Sequence, residues 1–321
     1  MLTTRSLYAL IVLLASVLLQ SEARAQYPTH PITAVVPFAA GSSNDTVARI
    51  IVPALSDALG QQVVVLNKPG GDALIGIGYV ANAKPDGYTL LFSAGAVVQA
   101  PALHKSVAYD SAHQIMGVAS FGIEPYVIVV NTKLGVNTLA DLLAYLKAHP
   151  GKLNAPTSGN NSAVTANLFK QATGADFSLI NYSGTGPAAT SLLSGETDFA
   201  ILDSSSFHSV DPSREKALAI AADVHMAAFP GVPTTAEAGL PGFTATALFG
   251  LFMPGGTPPE ITDRINAEIN KIVVMPKVAE QLQAQGLIIK TMSRAEADAK
   301  YHSDLIMWKD VVTKAKIPLS D

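Results

Sequence analysis

The stretch "PFAAGSSNDTVAR" (residues 37–49) follows the apolar run "ITAVV" (32–36) and leads into a segment of helical periodicity. A buried strand, a Gly/Ser turn without Lys or Arg, then a helix is the opening of a parallel βαβ unit. Two roles fit such a loop. It can simply turn the chain and cap the helix, or its backbone N–H groups can face a ligand. The first N–H groups of a helix have no intrahelical acceptor, and the aligned peptide dipoles add about half a positive charge there. A loop of Gly41, Ser42, Ser43 and Asn44 could therefore hold a carboxylate without a basic side chain. Asp45 would repel that anion unless its own oxygens are occupied by N–H groups or water, so it reads as an organiser of the loop.

Working outward, the same alternation continues. "VVVLN" (63–67) and "YTLLFS" (88–93) are strands, with a helix over 73–83 between them. "GIGYVA" at Gly76 matches a dinucleotide fingerprint, but its glycines fall inside a helical stretch, so close helix packing is the default reading. A second set follows. "YVIVVN" (126–131) is a strand, Thr138 and Asp141 cap a helix ended by Pro150-Gly151, and "KLNAP", "FSLINY", "DFAILD" and "ALAIAA" alternate with further helices. After "TALFGLFMP" (246–254) the pattern turns helical: Pro258-Pro259-Glu260 opens one helix, Gly286 closes the next, and Ser293 with Glu296 forms a capping box for the last. Pro53 within the first helix implies a kink or an interruption. Two α/β sets with a helical tail divide into two lobes, residues 26–125 plus 247–321 and residues 126–246, joined by strands near 124–131 and 244–253.

The Ser/Gly device recurs twice in the second set. "NAPTSGNNSAVTANLF" (154–169) places Ser158, Gly159, Asn160, Asn161 and Ser162 before a helix, and "INYSGTGPAATSLL" (180–193) places Tyr182 to Gly186 before Pro187. Three such loops, one in the first lobe and two in the second, can aim helix starts at one cleft.

The start of the chain is of a different kind. Arg5, an apolar run from Leu7 to Leu19 and Ala23-Arg24-Ala25 together read as a cleaved secretory leader over residues 1–25. No later stretch approaches the ~20 apolar residues of a membrane-spanning helix. Without the leader the chain holds 19 Lys and Arg against 24 Asp and Glu. That balance leaves no footprint for nucleic acid or anionic lipid. Cysteine is absent, so there are no disulfides and no lipid-bearing Cys at the cleavage site. Together these features point to a soluble bacterial periplasmic protein. Metal and cofactor signatures are missing as well: no His-Glu-x-x-His, no Walker loop, and scattered histidines. Without a Gly-x-Ser-x-Gly elbow a secreted hydrolase is weakened, though a triad assembled across space stays open.

Over nearly the whole mature chain the residues resemble the Bug-type periplasmic receptors of tripartite tricarboxylate transporters. The resemblance rests on "YPTHPITAVVPFAAGSSNDTVAR" (27–49), "LGQQVVVLNKPGGDALIGIGYVANAKPDGYTLLF" (59–92), "INYSGTGPAATSLLSGETDFAI" (180–201), "FPGVPTTAEAGLPGF" (229–243) and "GLFMPGGTPPEITDRINAEI" (250–269). It implies a type II periplasmic-binding-protein fold, two hinged α/β lobes closing on a small organic carboxylate, no catalysis, no cofactor, and delivery from a monomer to integral membrane subunits. A ligand-binding partner of a membrane sensor kinase is the other role open to such a receptor. Carried over by position, the first-lobe contacts are Phe38, Ala40, Gly41, Ser42 and Asp45, with Ser93 at a later strand end. The second-lobe contacts are Ser158, Asn160, Ser162, Gly184 and Asp203. Where the family loop reads Pro-Phe-x-Pro-Gly-Gly, this chain has Ala40 and Ser42, and the family's Gly-x-Gly-Ser is here Gly159-Asn160-Asn161-Ser162. The tryptophan usual before Gly250 is replaced by Leu248-Phe249. Leader cleavage predicts a mature chain beginning at Gln26, which N-terminal sequencing of exported protein would verify.

Overall fold

The computed structural model describes residues 27–158, 160–207, 211–314, 317, 319 and 320; the leader and Gln26 lie outside them. The opening stretch forms strand β1 (Ile32–Val36) and helix α1 (Ser43–Leu59), followed by β2 (Val63–Asn67), α2 (Leu74–Ala81), β3 (Thr89–Ser93) and α3 (Ala96–Leu103). Ser42 caps α1, its Oγ accepting the Asp45 N–H at 3.3 Å. Gly60 ends the helix in the left-handed conformation, with φ 66°. Pro53 neither ends nor interrupts α1, contrary to one expectation. It lies on the exposed side, where water can satisfy the carbonyl one turn back.

The chain then enters β4 (Ile115–Asn131), a strand of seventeen residues. Beyond it come α4 (Leu139–Ala148), β5 (Asn154–Thr157), α5 (Asn160–Thr173), β6 (Ser178–Asn181), α6 (Thr185–Ser194), β7 (Phe199–Asp203) and β8 (Glu215–Ile220). Strand β9 (Thr246–Pro254) returns alongside β4, and α7 (Pro259–Ile272), α8 (Pro276–Ala284) and α9 (Arg294–Lys314) complete the chain. The capping boxes at Thr138/Asp141 and Ser293/Glu296 are both formed.

The main sheet runs β2-β1-β3-β9-β4-β7, with β8 also on β4. Strands β1, β2 and β3 are parallel, as are β5 and β6, which form a separate pair. The parallel βαβ reading covers only those strands. Strands β9, β4, β7 and β8 pair antiparallel, because β4 and β9 cross between the halves in opposite directions. Residues of β4 up to Pro125 pair with β9, and from Tyr126 onward they pair with β7 and β8. Two bulges interrupt the β4–β9 ladder, leaving Val118 and Phe121 as extra residues, both buried in the first core.

Each half buries both faces of its sheet. Ile32, Ala34 and Val36 of β1 pack against Val47, Ile51 and Leu55 of α1, while Val35 faces the opposite cluster with Ile77 and Trp308. In the other half Ile128 and Val130 meet an aromatic group of Phe169, Phe177, Phe199 and Phe243, and Val127 and Val129 meet Ala188 and Leu192 of α6. The alternation along both strands is the period of two that a pleated strand imposes.

The glycine once open to a nucleotide reading has a packing role. A Cβ on Gly76 would stand 2.7 Å from Pro37 Cα and 2.8 Å from the Lys68 carbonyl oxygen. Helix α2 thus lies directly against the turns that follow β1 and β2. Gly76→Ala should destabilise the protein by about 1–3 kcal/mol, seen as a lowered urea midpoint with an unchanged slope.

Candidate functional site

The loop after β1 is held by one carboxylate. Asp45 Oδ2 accepts the Gly41 N–H and Arg49 Nε–H, each at 2.9 Å, and Oδ1 accepts Asn67 Nδ2–H at 2.9 Å. Asn67 also donates to the Phe38 carbonyl at 3.1 Å, which ties the loop to the end of β2. Gly41, with φ 84°, supplies the left-handed turn that points its N–H back at Asp45. Burial opposes ionisation of Asp45, but the hydrogen bonds from Arg49, Gly41 and Asn67 outweigh it and hold the carboxyl at about 2. Asn44 Oδ1 accepts the Ala94 N–H at 2.8 Å, so the start of α1 is also fastened to the end of β3.

These ties fix one wall of a cavity of about 260 Å³ between the two halves. Phe38, Ser42, Ser43 and Asn44 line it from the first loop, and Ala94 to Ala96 with Gln99 from the segment after β3. Ser158, Ser162 and Thr185 line it from the second half, where Ser162 Oγ accepts the Ser158 N–H and lies 3.3 Å from Ser158 Oγ. The back is made by the crossing strands, with Glu124, Tyr126, Ala247 and Phe249, together with Asp203 and Ser205 at the end of β7.

Of the residues expected at the site, Phe38, Ser42, Ser43, Ser158, Ser162 and Asp203 share this cavity. Asp45 does not line it; its oxygens are spent on the loop, the role that its position in the first helical turn suggested. Ser93 is buried beneath the wall, its hydroxyl donating to the Ala94 carbonyl at 3.3 Å. Ala40 and Gly41 stand on the exposed outer turn, and Gly184 precedes α6 in extended backbone without lining the cavity. Asn160 opens α5, but its side chain and Gly159 lie outside the described residues.

Glu124, Gln99 and Tyr126 were not among the residues expected at the site. A lone carboxylate inside the apolar run "SFGIEPYVIVV" and a lone amide inside "AVVQAPAL" were the available signals. Glu124 is 5% exposed. Burial, reinforced by the neighbouring Asp203 carboxylate, pushes its carboxyl up to about 8 against the opposing hydrogen bonds from Ser205. The Ser205 N–H donates to Glu124 Oε1 at 3.1 Å. Asp203 Oδ1 accepts both the Ser205 and Ser206 hydroxyls and the Ser206 N–H, at 2.6–3.1 Å. Lys, Arg and His are absent among the described lining residues. Positive potential at the site comes instead from the starts of α1, α5 and α6.

No group of three or more His, Asp or Glu suited to a metal occurs among the described residues, and no described helix is long and apolar enough to cross a membrane. Among the described lining residues the cavity's serines have no histidine base of the usual triad kind.

An α/β receptor with its cavity between two halves defines a class of solute-binding protein, and the comparisons narrow it. Residues 47–316 match the tripartite tricarboxylate transporter family receptor, and the chain belongs to that family. It is 37% identical to protein BugT of Bordetella pertussis (strain Tohama I) over 268 residues, 81% of each chain. MatC from Rhodopseudomonas palustris, solved with bound malate, superposes with a TM-score of 0.72 at 30% identity, covering 89% of this chain and 100% of that one. Rpa4515 of the same organism, solved with adipate, gives 0.76 at 26%, covering 92% and 100%. Family members are periplasmic solute-binding receptors of two-lobe fold, not enzymes.

Asp45→Asn should cost about 1–3 kcal/mol at pH 7 by leaving the Gly41 and Arg49 donors poorly matched. Asp45's folded value lies below its ordinary 3.8, so its contribution is present above that value and lost as pH falls toward 2. Urea titrations at pH 7 and pH 2 should show the gap between wild type and variant narrowing in acid.

Proposed function

We propose that the protein captures a small organic carboxylate in the periplasm and delivers it to the integral membrane subunits of a tripartite tricarboxylate transporter. The supporting observation is that one cavity receives the starts of three helices from both halves: Ser42 to Asn44 at α1, Ser162 in the first turn of α5, and Thr185 at α6. Helix starts and serine hydroxyls suit a carboxylate that arrives without a partner cation. Relatives solved with malate and adipate agree with that class of ligand. The leader would place the receptor in the periplasm as a free monomer. The lobes are residues 26–125 plus 247–321 and residues 126–246, hinged where β4 changes partners at Pro125/Tyr126. In this reading the empty receptor is open, and ligand stabilises the closed form by touching both lobes.

A thermal screen of citrate, dicarboxylates, amino acids and aromatic carboxylates against their neutral amides tests the proposal. A true ligand at about 100 times its Kd should add about 2.7 kcal/mol and raise Tm, while the amide should not. A flat response to every carboxylate would overturn it.

A further inference from the structure

Resting on that reading, the lining of the cavity joins two chemistries. Helix starts enter it at Ser43, Asn44 and Thr185, and two carboxyl groups, Glu124 and Asp203, share it without a Lys, Arg or His among the described lining residues. Asp203 commits Oδ1 to three donors, and Oδ2 has no partner among the described residues. Gln99 is 3% exposed, lines the same cavity, and its Oε1 is buried with no hydrogen-bond partner. A buried acceptor left unmatched costs free energy, as does a carboxylate with no opposing charge. Both are relieved by a guest that brings donors and positive charge. An ammonium group has three N–H donors and no acceptor, which suits a cavity that holds Gln99, Glu124 and Asp203 together.

We infer that the receptor selects an aminocarboxylate, holding the ligand's carboxylate at the helix starts and its ammonium group against Glu124, Asp203 and Gln99. A second carboxylate placed there would meet Asp203 with no basic side chain among the described lining residues to offset the repulsion. Glu124 then acts as a specificity gate. When the ligand carries an ammonium group, Glu124 gives up its proton on binding; when the ligand carries a second carboxylate, it must keep that proton. Among the described residues the other titratable groups nearby are Tyr126, whose hydroxyl is engaged with Thr165, and the Lys300–Asp304 pair in the adjoining cavity beyond Gln99.

Matched pairs differing only in the amino group test this by calorimetry on the mature protein: L-aspartate with succinate, L-glutamate with glutarate, 4-aminobutyrate with butyrate. The amino member of at least one pair should bind tenfold or more tightly than its partner. Its affinity should rise between pH 6 and 8, by up to tenfold per unit, because binding releases the Glu124 proton. Glu124→Gln should erase both the preference and the rise in affinity with pH, and an unchanged far-UV circular dichroism spectrum shows that the variant folds. Gln99→Leu should weaken the amino member more than its partner. The inference falls if deaminated partners bind as tightly or more tightly, with affinity rising in acid; the receptor reading then stands. If no member of any pair binds, and the broad carboxylate screen is also silent, both fall.

Discussion

Everything in this molecule is hung on the antiparallel pairing of β4 with β9. Two cores, each sandwiching its sheet between helices, are joined by strands that continue from one into the other, with Val164 of α5 in the same cluster as Trp308 and the Ser204 hydroxyl donating to the Gly286 carbonyl at 3.1 Å. Where β4 leaves β9 and takes β7 as its partner, Glu124 and Tyr126 line the gap between the halves, Tyr126 also belonging to the second core, in the same cavity as the loop that follows β1. The cavity is therefore a product of the crossing: two strands long enough to belong to both halves must pass through the space between them, and their side chains become its floor.

That placement has electrostatic consequences. Loops of Ser, Gly and Asn bring helix starts to the cavity, while the floor brings the carboxyl groups of Glu124 and Asp203. Asp45 shows how the protein keeps the two apart. It lies within the first turn of α1, where a free carboxylate would cancel the helix's positive end, yet its oxygens are wholly engaged by Gly41, Arg49 and Asn67. The loop is rigid because Asp45 is satisfied, and it is receptive because that charge is turned inward. Asn44 repeats the arrangement with a neutral side chain, holding α1 to the end of β3.

Much of this was legible in the residues, for physical reasons that differ by element. Strands β1 and β2 match their β-branched runs to the residue, since an uninterrupted apolar segment between turn residues has few other conformations. Helix α3 was invisible because "AVVQAPAL" carries Pro101 and no amphipathic period. The full extent of β4 was hidden by Gly117, Gly122 and Pro125, which read as strand breakers and are tolerated because bulges and a change of partner accommodate them. At the site, Ser/Gly composition identified the loops but not which atoms turn inward: Ser42 and Ser162 face the cavity while Ser93 lies beneath its wall. Glu124 and Gln99 escaped notice because a single polar residue within an apolar run gives no period from which to infer its direction.

The paired bulges at Val118 and Phe121 carry a last implication. Each extra residue reverses the side on which every later side chain of β4 emerges relative to β9, and the second restores what the first inverted. The acid floor thus depends on parity rather than on any contact made by Glu124 itself. Loss of one of these residues alone would turn Glu124 and Tyr126 toward the opposite face, whereas loss of both would conserve the phase. Lineages of this fold can lengthen or shorten the strand only in even steps if they are to keep the same floor.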